Sequence, residues 1–318
     1  MSDPAPLGED EIRFAYRLLL DREADPAGLA HYVAMARRIG LTPGRLREIM
    51  LASDEYRQRN RRRVQPVEVG DHVVVVDPME PCFGVIIARY HGWEPHIAAV
   101  IGRLLTAGAV HVDVGANVGI TAFRAARLVG EGGKVIAFEP DPNNAALFLR
   151  GVAANGFRHV TLFPLALSDR RAVFSLQGGS NGYLVPPEWS DLAIQAIPGD
   201  DMLDREPRVD LIKLDIEGHE PAALRGLAHT IARHRPWVLC EYNPLCLRDH
   251  AALDQAEFAA QIFAMTPAAT AIEHDGRETR LGSAAELVGF WQDCNARAVA
   301  GGLLPDGVVH LDLLFRPG

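Results

Sequence analysis

The feature that most constrains this chain is a strand that runs directly into a turn bracketed by two glycines and then into a helix. The apolar run ending Val112-Asp113-Val114 leads into Gly115-Ala-Asn117-Val-Gly119 and the helical segment 120–129. Such a strand–turn–helix is the first half of a βαβ unit, and βαβ units build parallel sheets. The alternation continues with strand 135–138, helix 143–155, strands 160–163 and 211–214, helix 222–229 and strand 237–241. Continuous apolar strands separated by helices predict a sheet covered on both faces. The segment 308–315 alternates and predicts a late strand at the sheet's edge.

Ligands of open parallel sheets bind beyond the carboxyl ends of the strands. Gly115 and Gly119 permit a sharp turn and a close approach of backbone to ligand. About twenty residues further on, the second strand ends in Glu139, where a carboxylate can accept both ribose hydroxyls of a nucleoside. A dinucleotide site wants G-x-G-x-x-G, whose backbone holds pyrophosphate. Here Asn117 stands where a second glycine would fall, and Asp113 precedes the loop. A carboxylate is unfavourable beside pyrophosphate but favourable beside the ammonium and sulfonium of S-adenosylmethionine. The loop therefore reads as an S-adenosylmethionine site in preference to that of an NAD-dependent dehydrogenase.

A second constellation follows at the end of strand 211–214. Lys213, Asp215 and Glu217 alternate and share a face, Gly218 permits a turn, and His219-Glu220 open a helix. Carboxylates crowded at a sheet edge are costly unless paired, hydrogen-bonded or metal-bound. Helix capping is the alternative reading of Glu217 and Glu220. The next strand ends Cys240-Glu241-Tyr-Asn243-Pro244, beside Asp215 if the two strands are neighbours. Glu94, before Pro95, puts another carboxylate at a helix start. An alcohol becomes a good nucleophile only when a base or metal removes its proton. Asp215, with Glu241 or His219, is the candidate base, and Glu217, Glu220 and Asn243 are candidate substrate contacts. Asp215, Glu241 and Asn243 could also hold Mg²⁺ through oxygen ligands.

Composition narrows the class. With 318 residues, 23% charged and a net charge of −9, the chain is an ordinary globular one with no global attraction to phosphate backbones. The basic run 57–63 reads as a solvated helix end. Cys82, Cys240, Cys246 and Cys294 show no metal-like spacing, and reduced thiols fit a cytoplasmic protein. The acidic start lacks the apolar core of a signal peptide, and no apolar stretch approaches the ~20 residues of a membrane span. Residues 1–62 read as a small helical domain, 63–80 as a linker with a lead-in strand, and 81–318 as the main domain; 85–88 reads as a further strand.

Taken together, these residues resemble the FkbM family of methyltransferases. The resemblance rests on Trp93-Glu94-Pro95, on 112–119, on Ala137-Phe-Glu139-Pro140, on Ala166-Leu-Ser168-Asp169 and on Ile212-Lys-Leu-Asp-Ile-Glu-Gly-His-Glu220. It implies a class I methyltransferase fold, Rossmann-like, with a seven-stranded, mostly parallel sheet, helices on both faces and a reversed last strand. It also implies S-adenosylmethionine held by Glu94, Asp113, Gly115, Asn117, Gly119, Glu139, Pro140, Ala166, Ser168 and Asp215. Family members methylate hydroxyl oxygens of sugars and polyketide-type metabolites. The N-terminal helices resemble a small domain marked by Tyr-Arg-x-x-Leu-x-Arg-x-x-Asp-x-x-Gly, here Tyr16 to Gly28, followed by 53–57. Such modules accompany glycan-processing or surface proteins, which points to a saccharide acceptor. A non-catalytic adaptor that binds S-adenosylmethionine or a glycan is the second reading.

Overall fold

The computed structural model describes residues 7–20, 22–56, 64–187, 192–302 and 308–318. They fall into two compact units, Met1–Gln65 and Pro66–Gly318. The basic run 57–63 lies outside the described residues.

The first unit holds helices α1 (Glu9–Leu20), α2 (Pro26–Ile39) and α3 (Pro43–Leu51). They close around Ile12, Tyr16, Leu20, Leu46 and Met50. The motif residues found in the sequence hold one another. Arg22 forks onto Glu55 at 2.5 and 2.8 Å and onto Asp25 at 3.0 Å, and lies 4.7 Å over the Tyr16 ring. Asp25 caps α2 by accepting the Gly28 amide at 2.8 Å. A Cβ on Gly28 would fall 2.2 Å from the Tyr16 hydroxyl, so only glycine fits there.

The second unit opens with β1 (Gln65–Val69) and β2 (His72–Val76), a two-stranded sheet, then α4 (Phe83–Tyr90) and α5 (Pro95–Leu104). The run 85–88 is therefore helical, not the strand its apolar residues suggest. Phe83 and Ile87 pack inward one turn apart while Val85 faces out, a 3.6-residue pattern that so short a run cannot declare in sequence. The alternation then proceeds through β3 (Val110–Val114), α6 (Ile120–Val129), β4 (Lys134–Phe138), α7 (Pro142–Asn155) and β5 (Val160–Phe163). An insert follows with β6 (Ala166–Leu167), β7 (Ala172–Gln177), β8 (Tyr183–Val185) and β9 (Ala193–Ile197). The remainder is α8 (Gly199–Leu203), β10 (Leu211–Leu214), α9 (Glu220–Gly226), α10 (Ala228–His234), β11 (Trp237–Tyr242), α11 (Pro244–Ala251), α12 (Gln255–Met265), β12 (Ala269–Ile272), β13 (Glu278–Leu281), α13 (Ala284–Ala300) and β14 (Leu311–Phe315).

The main sheet has the order β13-β12-β14-β11-β10-β3-β4-β5. β3 pairs in parallel with both β4 and β10, so the chain direction across the sheet reverses there. That reversal opens a crevice at the strands' carboxyl ends. Alternate residues feed opposite cores: Val112, Val114, Ile212 and Leu214 one face, Val135, Ala137, Leu211 and Leu239 the other. Helices cover both faces, as the continuous apolar strands require.

Two expectations are corrected. The sheet has eight strands, not seven, because β12 returns through the turn 273–277 into β13, which pairs along its outer edge. This turn is closed by the Glu273 amide donating to the Arg277 carbonyl at 2.9 Å. β14 is also not an edge strand, because it lies antiparallel between β11 and β12. The insert strands form a separate sheet, β6-β9-β7-β8, that the sequence reading left unassigned.

The loop after β3 is fixed by an aromatic knot. Phe123 is fully buried, with Phe148 and Phe157 at centroid distances of 4.8 and 5.8 Å. A Cβ on Gly119 or Gly151 would lie 2.5 or 2.3 Å from its ring. Gly119 is thus small for packing as well as for its φ of +97°. Phe123→Ala is expected to cost about 3–5 kcal/mol, and an unchanged urea midpoint would contradict this account of the loop.

Candidate active site

The carboxyl ends of β3, β4 and β10 enclose a pocket lined by Gly115, Asn117, Glu139, Pro140, Ala166, Asp215 and Glu217. Those are the candidates the structure gathers at one place. Gly115 has a φ of +82°, and a Cβ there would sit 1.9 Å from the Asp215 carbonyl oxygen. The glycine thus serves the close meeting of β3 and β10 as much as any ligand.

Glu139 is 6% exposed and its carboxylate is built into the loop. It accepts the Asn117 amide at 2.8 Å and the Asp141 amide at 2.9 Å, which leaves lone pairs for further donors. Burial pushes its pKa up to about 7 against these stabilising amides. The Asn117 amide is committed to this bond, so it is not part of a cradle for pyrophosphate.

Other candidates lie behind or beside the pocket. Asp113 is fully buried and accepts the Thr121 hydroxyl at 2.8 Å, with the Lys213 ammonium at 3.9 Å. Lys213 binds Asp215 at 3.0 Å. Its pKa is held above the usual lysine range because Asp215, Asp113 and Glu94 outweigh its burial. Glu94 has a left-handed φ of +40° at the start of α5. Burial and the charges of Asp215 and Asp312 raise it to about 7. Gly119 and Ser168 do not line the pocket; Ser168 instead meets His219 Nε2 at 3.0 Å. Burial lowers His219 to about 4, so its imidazole is neutral at pH 7 and engaged away from the pocket.

Glu220 is 1% exposed and accepts the Ile216 and Gly218 amides at 2.7 and 3.0 Å. It is a clamp for the turn, and burial raises it to about 8. Glu217, at φ +56°, receives the Cys246 thiol at 3.1 Å and is raised to about 7 by burial and Asp215. Asn243 caps α11 and donates to Glu241 Oε1 at 3.2 Å. Glu241 is buried, and burial together with Asp215 pushes its pKa up. Among the described residues no group of three His, Cys, Asp or Glu side chains is arranged to hold a metal ion, so the arrangement gives Mg²⁺ no support.

Sequence reasoning missed several contributors. Leu176, Asn181 and Leu184 of the insert line the pocket from above. The imidazole of His250 stacks on Tyr183 at 3.6 Å and bonds the Glu217 carbonyl at 2.7 Å. His96 meets Asp312 at 3.2 Å. Beyond the Ala166–Asp169 motif, the glycines flanking Asn181 were the available signal for the insert.

The strand order, with a crevice at its switch point, is that of the class I methyltransferase fold. Residues 113–258 match the family described as the methyltransferase FkbM domain. No curated protein matches the chain in sequence. Among solved structures, a methyltransferase FkbM from Methylobacillus flagellatus KT is 20% identical, over 86% of this chain and 59% of that one, with a TM-score of 0.38. This chain thus spans 59% of that relative's length. A putative O-methyltransferase from Klebsiella pneumoniae is 15% identical, over 72% and 83%, with a TM-score of 0.40. No helix among the described residues is long and apolar enough to cross a membrane.

Glu139→Ala is expected to weaken S-adenosylhomocysteine binding by about tenfold or more, through loss of hydrogen bonds to a charged acceptor. Equal affinities by calorimetry would remove the ribose assignment. A second expectation follows from the raised carboxylates Glu94, Glu139, Glu217 and Glu220. Each is protonated more readily in the fold than in the unfolded chain, so its contribution is lost as pH rises through the folded value. Below pH 6.5 the depressed His219 acts in the opposite sense. Ligand-free protein should therefore lose thermal stability from pH 6.5 to 8, and a rising melting temperature over that window would refute the buried-carboxylate account.

Proposed function

We propose that the chain is an O-methyltransferase that transfers the methyl group of S-adenosylmethionine to a hydroxyl of a saccharide or polyketide-type metabolite. The observation that carries this reading is Asp215. Its carboxylate lines the nucleoside pocket at the switch point, is about one-third exposed, and is steered by a buried Lys213 at 3.0 Å. The residues present fit the cofactor. Glu139 would hold the ribose, Ala166 and Pro140 would flank the base, and the acidic group Glu94, Asp215 and Glu217 suits its positive charge. When bound, S-adenosylmethionine supplies an electrophilic methyl group on a cationic sulfur.

The protein's part is alignment and proton removal. In-line displacement depends on holding the oxygen in attack geometry. With the cofactor bound, the oxygen–carbon bond would form as the carbon–sulfur bond breaks with its electron pair left on sulfur, and the hydroxyl proton would go to the Asp215 carboxylate. Lys213 keeps that carboxylate oriented, while Glu241 stands beside it as a second proton store. His219 is not the base in this reading, because its imidazole bonds Ser168. A saccharide acceptor is favoured by the N-terminal motif, whose likeness is to modules of glycan-processing proteins.

Asp215→Asn keeps the hydrogen bond to Lys213 but removes the base. It is expected to lower kcat by about 10²–10⁴-fold, at saturating cofactor so that any loss of binding affinity is separated from loss of the base. Labelled methyl transfer to a panel of saccharides and hydroxylated metabolites is the measurement. Undiminished kcat in the variant would remove Asp215 from the chemistry, and tight cofactor binding with no transfer to any panel member would favour the adaptor.

A further inference from the structure

A second cleft lies on the same edge of the sheet, beyond the carboxyl ends of β11 and β12 and at the start of β14. It is lined by His274, Asp275, Arg277, Arg297, Val309 and His310, among others. None of these residues takes part in the nucleoside pocket. Its charges cancel locally. Arg277 pairs with Asp275 at 2.7 Å and with Glu273 at 3.2 Å, and Arg297 pairs with Glu273 at 2.7 Å. Among the described residues of the cleft, two guanidinium groups thus face two carboxylates, with no formal charge left over for an ionic ligand. His274 adds none, because burial and the neighbouring His310 hold its pKa below the usual imidazole value. The His274 and His310 rings meet edge to face at 4.2 Å, beside the apolar side chains of Ala298, Val309 and Leu311. Apolar walls with a few fixed polar groups are the usual make-up of a small-molecule site.

The cleft leads to the carboxylates of the reaction. His310 Nδ1 stands 3.9 Å from Glu241 Oε1. His274 contacts the His96 ring at 5.4 Å, and His96 Nε2 binds Asp312 at 3.2 Å. Glu241 and Asp312 are partners in register on β11 and β14. Leu214 pairs with Cys240, so Asp215 comes level with Glu241 one residue later. Asp215, Glu241 and Asp312 therefore form a row across three adjacent strands, with the nucleoside pocket at one end and the second cleft at the other. Among the described residues, Glu241 Oε2 and His96 Nδ1 are buried along this row without a hydrogen-bond partner. A buried polar atom left unpaired costs about 1–3 kcal/mol, which a ligand hydroxyl arriving from the cleft would relieve.

We propose that this cleft is the acceptor pocket, and that it takes an uncharged, hydroxyl-bearing ring such as a pyranose in preference to a sugar phosphate or uronate. The inference rests on the O-methyltransferase reading for its chemistry, and on the cleft itself for its ligand class. His310 is a positioning residue: it lies between cleft and carboxylates and turns the acceptor hydroxyl toward Glu241 and Asp215.

The test uses the full chain saturated with S-adenosylhomocysteine, with the histidine ring signals followed by NMR and assigned through His274→Gln and His310→Gln. The probes are methyl hexopyranosides, glucose 6-phosphate and glucuronate. Saturable shifts of the His274 and His310 signals with the uncharged pyranosides are expected, and weaker ones with the two anions. Ala298→Trp, which fills the cleft from α13, should abolish those shifts and leave S-adenosylhomocysteine affinity unchanged. It should also raise the KM of any methylated pyranoside by about tenfold or more. Shifts without methyl transfer to any pyranoside would uphold the cleft and count against the transferase reading. Transfer with an unaltered KM in Ala298→Trp would overturn the cleft while the transferase reading stands. Ring signals unmoved by every pyranoside, or moved more by the anions, would also overturn it.

Discussion

The site depends on one buried ammonium. Lys213 is 5% exposed and lies between Asp215 at 3.0 Å and Asp113 at 3.9 Å, with Glu94 in electrostatic range. An isolated ammonium taken from water costs several kcal/mol, and so does each carboxylate; together they offset one another only if the geometry is held. That geometry is supplied by neighbouring β3 and β10, whose register sets Lys213 directly against Asp113. Removing the lysine would leave Asp113 and Asp215 buried or half-buried without their cation. The ion pair is weak evidence for stability, but it fixes where Asp215 points.

Around it the chain tolerates unusual strain and crowding. Glu94, Asn117 and Glu217 all take left-handed backbone conformations that non-glycine residues seldom adopt. Each turns a chain end toward the same edge of the sheet. Such conformations cost roughly 1–3 kcal/mol apiece and persist where the surroundings over-determine them. Here the surroundings are identifiable: Asn117 gives its amide to Glu139, and the turn at Glu217 is clamped by Glu220 through two amides. The carboxylates' raised pKa values record the same crowding. Burial and mutual repulsion favour their protonated forms, and a cation entering among them would reverse that preference.

Much of this was legible in the sequence because it is carried by local pattern. The strand–glycine–helix at 110–129 and the alternation that follows declare the parallel sheet, and the position of Glu139 at a strand end follows from counting along it. Position does not declare orientation. Asp113 occupies the end of β3 as expected, yet its side chain faces Thr121 and Lys213 and not the pocket. Glu220 and His219 sit in the expected turn, but the first clamps amides and the second bonds Ser168. The helix at 83–90 and the insert sheet at 166–197 were not legible. A short apolar run has no period of its own, and β6 to β9 pair through contacts that only the folded chain creates. His96, His274 and the pair His310 and Asp312 stand far apart in sequence, and no spacing rule joins the three places.

The two clefts differ in charge in the way that the proposed reaction demands. Methyl transfer to an alcohol consumes a cation and a neutral molecule, and yields two neutral products and a proton. A site for the cation gains from nearby carboxylates: Asp215 and Glu217 line the first pocket, with Glu94 beside it. A site for the neutral partner gains nothing from net charge and loses specificity to it, since any excess charge would favour ionic competitors. The second cleft meets this by pairing each of its arginines with a carboxylate. The released proton needs a destination between the two, and the row Asp215, Glu241 and Asp312 occupies that interval. A methyltransferase with its carboxylates on only one side could bind its cofactor. It would lack a path for the proton that the acceptor gives up.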